Sequence, residues 1–319
     1  MIPFEVEEIT RVAVVCPVHN RRAITLDCLR SLYASDLTGI DLRVVIVDDG
    51  STDGTSEAIA ESFPNVEVVK GDGNLFYTAG TNRAIEAALA HSCEPQYILG
   101  INDDQIFPPN ALRALVDCAL RNHRSVVGAL LVRWDDPRIV FQVDPQWETS
   151  FGGWHHWQDL RVQEVPSEPW QVGIIVGNCV LYPTEAIREV GLMDQRRFPA
   201  FGDAEYTPRM RNRGWQLLIE PSAVVHCQPN APSADVRHMR MRDLYVQLWG
   251  DRRAGYNMRR AYSGLLAGAP NKALGTAAFA IYIARVAAKA AGLAKRWPYY
   301  EPNRSRWKRR PTDQARKLR

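Results

Sequence analysis

Four carboxylates stand in two adjacent pairs, Asp48-Asp49 and Asp103-Asp104, and each pair follows an apolar run, 42–47 in one case and 97–101 in the other. Adjacent like charges repel, and burying them unpaired is costly. A divalent cation removes the repulsion, and Mg²⁺ is typically held by one or two carboxylates plus phosphate oxygens. A capping loop is the other reading of the second pair, because Asn102, Asp103 and Asp104 before Pro108-Pro109 also suit a turn and a helix start. If both runs are strands of one parallel sheet, their C-terminal ends share an edge and the four carboxylates converge on one crevice. That arrangement fits a nucleotide with a metal-bound diphosphate, one pair facing base and ribose, the other facing the metal.

A third constellation is Phe201-Gly202-Asp203-Ala204-Glu205-Tyr206. Carboxylates that open a helix serve as partners of its dipole. Asp203 beside a bound cation would instead act as a general base. His226 ends a short apolar piece and is read as a packed residue or, beside that base, a metal ligand. Dinucleotide and P-loop chemistry are excluded: Pro17-Val18-His19-Asn20 stands where GxGxxG would be, no GxxxxGK[ST] occurs, and Gly71-Asp72-Gly73 reads as a plain loop.

The elements that must position these residues follow from periodicity. Apolar runs at 12–17, 42–47, 66–69 and 97–101 alternate with helical patterns at 22–34, from Asp53 or Thr55 through 59, at 79–90 and at 110–121. Such alternation marks a parallel sheet with helices on both faces. After 125 the rhythm changes. Strands are expected at 126–132, 139–143, 172–176, 178–182, 216–219 and 224–226, helices at 184–190 and 203–213, and an aromatic loop at 151–157. Helical patterns return at 239–249 and in the Ala-rich 273–297.

Charge divides the 319-residue chain. Residues 1–230 hold 19 Lys+Arg against 31 Asp+Glu, and 231–319 hold 20 against 5. The basic C-terminal part reads as a solvated or dimer-forming extension, or as one that docks on an anionic membrane surface; nucleic acid ranks last because no reading module accompanies it. Its apolar stretch reads as too short to span a bilayer, and the residues from 304 as unstructured. The acidic N-terminus lacks an apolar leader, and six scattered cysteines read as buried free thiols of a reducing cytosol.

Taken together, 12–20 with its P-x-x-N, 45–55 (VIVDDGSTDGT), Thr81-Asn82-Arg83-Ala84-Ile85, Asn102-Asp103-Asp104, and Gly202–Tyr206 with Arg209 and Gly214-Trp215 resemble a family 2 glycosyltransferase over residues 11–228. The resemblance implies the α/β GT-A fold: a Rossmann-like, mostly parallel central sheet with helices on both faces, plus a C-terminal helical extension. It implies a GT-A domain at 1–228, with a nucleotide half to about 105 and an acceptor half beyond, and a basic extension at 229–319. It implies an inverting, metal-dependent enzyme of the cytoplasm or inner membrane face. Such an enzyme takes a nucleoside-diphosphate sugar donor to a glycan or lipid-linked acceptor in polysaccharide synthesis. By position, Pro17, His19, Asn20, Asp49, Asn82 and Asp103 would contact the nucleotide, Asp104 and His226 would hold Mg²⁺ or Mn²⁺, Asp203 would be the base, and Glu205, Trp154 and Phe201 would support the acceptor. The departures are Asn102, where the first acid of DxD is expected, and Gly202, where the base motif often has Glu. The loop 71–77 with Asn102-Asp103-Asp104 and Phe201-Gly202-Asp203 resembles the bacterial rhamnosyltransferase-like branch. A non-catalytic sugar-nucleotide or glycan-binding protein on the same fold is the rival, kept open by Asn102. A nucleotidyltransferase lacks its Gly-rich basic loop here.

Overall fold

The computed structural model describes residues 9–157, 160–228, 236, 239–250, 254 and 256–293. The expectation of an unstructured tail from 304 lies outside them. In chain order the elements are β1 (Thr10–Val18), α1 (Arg22–Tyr33), β2 (Ile40–Asp48), α2 (Thr55–Ser62), β3 (Glu67–Lys70), α3 (Phe76–Leu89), β4 (Tyr97–Gly100), β5 (Gln105–Ile106) and α4 (Ala111–Arg121). They continue with β6 (Ser125–Arg133), β7 (Val140–Gln142), β8 (Gln146–Glu148), β9 (Gly153–His155), β10 (Trp170–Gln171), β11 (Val180–Pro183), α5 (Thr184–Val190), α6 (Asp203–Arg211) and β12 (Gln216–Cys227). The extension holds α7 (Met241–Tyr245), prolonged by one wide π turn, then α8 (Met258–Gly268) and α9 (Lys272–Ala290).

The main sheet runs β10-β12-β6-β11-β4-β1-β2-β3, with β5 on β12 and β7 on β6. β1 pairs in parallel with β2 and β4, and β2 with β3. β11 is antiparallel to both β4 and β6, while β6 and β12 are parallel. The C-terminal ends of β1, β2, β3, β4, β6 and β12 therefore share one edge, joined there by the start of β11.

Alternation along the strands builds two cores. Val12, Val14 and Cys16 face the layer of α1 and α4 with Leu29, Leu32, Leu112 and Leu115. Ala13 and Val15 face the opposite layer with Ile85, Tyr206 and Met210. Each large apolar side chain so buried contributes about 1.5–3 kcal/mol. Cys93 is exposed; the other five cysteines are buried, and all six are free.

Four elements differ from the sequence reading, each for a local reason. Of the expected strand at 172–176, Val172 donates to the Leu217 carbonyl (2.9 Å), and beyond it the Thr207 hydroxyl accepts from the Ile175 N–H (3.1 Å) and donates to its carbonyl (3.0 Å) in place of a ladder. The two expected pieces at 216–226 are one strand. Pro221 lacks an N–H, and a register shift between Glu220 and Val224 absorbs it as a bulge. The aromatic loop contains β9, which pairs with β8 as a hairpin. Finally, α9 has 19 residues with a mean hydropathy of 1.3 over its apolar window, long and apolar enough to cross a membrane, and only 17% of that window is buried. The Ala and Ile content was sufficient, and the sequence estimate of the span was too short.

α3 crosses the end of β1 at Gly80, where an added Cβ would lie 2.8 Å from Pro17 Cβ. Gly80→Ala should therefore destabilise the fold by about 1–3 kcal/mol, against an intrinsic helix gain near 1 kcal/mol. Urea unfolding measures it.

Candidate active site

The shared sheet edge is a set of loops tied by side chains. Asn20 has φ +51°. Its side-chain oxygen accepts from the Thr52 N–H (2.7 Å), and its own N–H donates to Ser51 Oγ (2.9 Å). His19 Nδ1 lies 2.7 Å from the Asp49 carbonyl, which assigns its proton to Nδ1 and leaves Nε2 to accept from the Asn20 amide (3.1 Å). Asp53 joins two helix starts, accepting from the Arg22 N–H (3.0 Å) and the Thr55 N–H (3.1 Å).

Asp48 and Asp49 are both buried. Asp48 accepts from the Ser51 N–H and the Ser56 hydroxyl and lies 3.6 Å from Lys70 Nζ. Burial pushes its carboxyl up, but those hydrogen bonds and Lys70 prevail and hold it below the usual range. Asp49 accepts from three backbone N–H groups, those of Gly73 (2.8 Å), Leu75 (2.9 Å) and Phe76 (3.0 Å). No side chain at Leu75 caps α3, so a carboxylate from the end of β2 satisfies its first amides. That starts the helix at Phe76, three residues before the expected 79. Asn82 is likewise committed. It donates to the Met193 carbonyl and Gln195 Oε1 and accepts from the Met193 N–H, pinning the loop after α5 to α3. Asp49 and Asn82 were expected to contact the nucleotide; here their polar atoms hold loops.

The second acid pair has a resident cation. Arg21 Nη1 lies 3.0 Å from Asp103 Oδ1, and Nη2 lies 3.2 Å from Asp104 Oδ2 and 2.9 Å from Gln228 Oε1. Burial pushes the Asp103 carboxyl up to about 6, against the opposing pull of Arg21. Asn102 turns its amide away from this group and donates to Asn178 Oδ1 (2.7 Å). His226 pairs with Ile106 across β5 and β12, two residues from Asp104 along one strand and two from Gln228 along the other. Among the described residues no cluster of three or more His, Cys, Asp or Glu is arranged to cage a metal. The donor set fits an ion that brings phosphate ligands of its own and takes the carboxylates from Arg21.

Asp203 lies along the same edge. Its Oδ2 accepts from the Gly177 N–H (2.8 Å), and Gly177 is followed by Asn178, the partner of Asn102. A Cβ on Gly177 would come within 2.2 Å of Asp203 Cβ. One on Gly202 would come within 2.5 Å of Thr78 Cγ2, which is why no Glu stands there. Tyr77 donates to the Gly177 carbonyl (3.0 Å). Burial raises the Asp203 carboxyl, and the N–H groups of Gly177, Asp203 and Ala204 oppose without cancelling it. Glu205 binds the Asp194 N–H (3.1 Å) and Arg209 (2.9 Å), so it anchors a loop. Phe201 is exposed at the mouth, with the Arg260 guanidinium 4.3 Å from its ring centre. Trp154 packs edge-on to Trp147 and lines a neighbouring cleft of about 370 Å³ that also includes Arg211, the last residue of α6. Asp203 is the first, so at 1.5 Å per residue they are about 12 Å apart.

Sequence reasoning missed Arg21, Gln228, Asn178 and Gly177. Arg21 was findable: two adjacent acids require a positive partner, and it ends the loop after the neighbouring strand.

The profile of the Glycosyl transferase family 2 matches residues 13–191. The N-acetylglucosaminyl-diphospho-decaprenol L-rhamnosyltransferase of Mycobacterium tuberculosis is 30% identical over 214 residues, 61% of this chain and 69% of the relative. An N-acetylglucosaminyltransferase of Mesorhizobium japonicum is 29% identical over 231 residues, 67% of this chain and 50% of the relative. Among solved structures, GalNAc-T7 with UDP, GalNAc and Mn²⁺ superposes with a TM-score of 0.56 at 17% identity, covering 86% of this chain and 55% of that one. The Pyrobaculum calidifontis mannosyltransferase with GDP-Man and Mn²⁺ gives 0.54 at 18%, covering 90% and 76%. These likenesses establish the GT-A fold.

A raised carboxyl in the folded state means the fold binds that proton more tightly than the unfolded chain. The ionised form of Asp203 therefore costs stability above its folded pKa. Asp203→Asn can keep the Gly177 hydrogen bond without the charge. Its melting temperature should equal or exceed that of the wild type at pH 8, with the difference shrinking towards pH 4.

Proposed function

The chain belongs to glycosyl transferase family 2, on its rhamnosyltransferase-like branch, and on that premise we propose that it transfers a sugar with inversion from a nucleoside-diphosphate donor to a hydroxyl of a glycan or lipid-linked acceptor. The observation that carries this reading is the connected edge Asp203–Gly177–Asn178–Asn102–Asp103–Asp104: a buried, raised carboxylate shares one crevice with a cation-binding acid pair. The relative's name supplies the acceptor class, a saccharide on a polyprenyl diphosphate.

On this reading Pro17, His19 and Asn20 wall the nucleotide pocket, and Asp49 shapes it by holding the loop 73–76. Asp104 and His226 would hold the divalent ion, with Asp103 on the ribose or phosphate of the nucleotide. When bound, that ion offsets the charge developing on the departing diphosphate. Arg21, released from the carboxylates, stays within one side-chain swing of the same group. Asp203 takes the proton of the attacking hydroxyl, a contribution of about 10²–10⁴ in rate. Its raised pKa makes it a stronger base than a solvated carboxylate, and the acid limb of the rate profile should lie above the ordinary Asp range. The residues to about 228 would do the chemistry and the basic extension would serve the acceptor side. The protein would then work in the cytoplasm, at the inner membrane face, in the synthesis of cell-surface polysaccharide.

A panel of nucleotide sugars, read by thermal shift and by hydrolysis with and without Mn²⁺, tests the reading. One donor should stabilise the protein and be hydrolysed slowly, more so with Mn²⁺. Asp203→Asn should keep that stabilisation and lose transfer at least a hundredfold; near-normal turnover would remove Asp203 from the role of base. Arg21→Met should bind Mn²⁺ more tightly than the wild type in the absence of donor, by electron paramagnetic resonance, because the competing guanidinium is gone. Unchanged or weaker binding would show that ion and guanidinium do not share the acid pair.

A further inference from the structure

α9 is amphipathic in the wrong sense for a helix facing water. Leu274, Ala277, Ala280, Ile283, Ala284 and Ala287 are exposed, and their spacing puts them on one face. Between 273 and 291 no exposed position is charged. The two basic residues in the body of the helix turn the other way: Arg285 donates to the Phe151 carbonyl and Lys289 to the Tyr256 hydroxyl (2.8 Å). Gly275, Ala278 and Val286 are buried against the protein. The extension as a whole concentrates exposed apolar surface. Of the eleven large hydrophobic side chains exposed among the described residues, eight lie beyond residue 240, Tyr245, Trp249 and Tyr262 among them. Such patches mark interaction surfaces.

Charge identifies the occupant. The 26 residues 294–319 follow the end of α9 after three intervening residues and carry ten Lys+Arg against two Asp+Glu, with Trp297, Tyr299, Tyr300 and Trp307 among them. An uncharged helix face followed at once by an aromatic, basic segment matches an anionic bilayer, which offers acyl chains to the first and headgroup charge to the second. A second copy of the chain would bring the same positive charge against itself.

We propose that the outward face of α9 lies in the plane of an anionic membrane surface, with the basic segment on the headgroups. This rests on the reading of a lipid-linked acceptor and gives that reading its docking surface. α9 has the length to span, but spanning would strip Arg285 and Lys289 from their partners, whereas lying flat keeps both bonds and leaves the buried face where it is. α8 packs on both α6 and α9, and Arg260 in its first turn faces Phe201 at the mouth of the site. The docked face is thus coupled to the acceptor side of the crevice.

The test uses the full chain and acceptor-free vesicles of phosphatidylcholine with or without about a quarter phosphatidylglycerol. The wild type should float with the anionic vesicles, far less with the neutral ones, and come off in high salt. The double variant Leu274→Asp with Ile283→Asp alters exposed positions only. It should keep its melting temperature and its donor-stimulated thermal shift while losing about tenfold or more in vesicle partitioning. Equal binding to neutral vesicles, no binding by the wild type, or undiminished binding by the double variant would overturn the proposal. So would a dimer, by light scattering, that the double variant dissolves without any change in vesicle binding. Because the vesicles hold no acceptor, failure of the transferase reading leaves this measurement interpretable, and the donor panel stands if docking fails.

Discussion

Two adjacent carboxylates at the end of a buried strand persist only with positive charge against them, and Arg21 supplies it. Its guanidinium spans Asp103 and Asp104 and reaches Gln228, joining the ends of β1, β4 and β12. Those strands do not neighbour one another across the whole sheet: β11 and β6 stand between β4 and β12. The ion pair therefore closes the crevice over the antiparallel strand. Near the surface such a pair is worth little in stability, because solvent screens it and Arg21 is partly exposed. Its importance is that it keeps a repulsive pair in place.

Around that pair, several polar residues are committed to building the edge. Asp48, Asp49, Asn82 and Glu205 have their side-chain oxygens occupied by backbone N–H groups, hydroxyls or Arg209. Each fixes a loop that the sheet alone would leave loose. Asp203 accepts the Gly177 N–H, and burial outweighs the stabilisation of its charge, as it does at Glu205. The edge also stores backbone strain. Asn20, Phe76 and Cys179 have φ of +51°, +55° and +62°, and all three flank the crevice. Such conformations cost about 1–3 kcal/mol each and are held by surrounding contacts.

The parallel half was legible in the sequence because β1, β2 and β4 are buried along most of their length and read as apolar runs, and its helices start at short polar loops. The antiparallel half was less legible. The run 172–176 has the composition of a strand, and only the distant Thr207 hydroxyl explains why it leaves β12 after Val172. The single strand β12 reads as two pieces, 216–219 and 224–226, because a bulge is invisible without its partner. In the site, residue types located Asp103, Asp104 and Asp203, since carboxylates at strand and helix ends are conspicuous. They did not reveal which acids were already committed: Asp49 caps α3 from 26 residues away. Trp154 is expected at the acceptor on its chemistry, and its place in a cleft beside the C-terminal end of α6 is one that spacing in the sequence cannot express.

The glycines at 80, 177 and 202 translate into genetics. Each lies where a Cβ would come within 2.8 Å of a carbon on another segment: Pro17, Asp203 or Thr78. Every missense change of a glycine codon adds at least that atom. These three codons should therefore be nearly barren under mutation, although none contributes a side chain and only Gly177 and Gly202 donate a backbone N–H to one, Asp203 and Thr78 respectively. In a comparison of natural variants, the crevice would be outlined as sharply by its invariant small positions as by its acids.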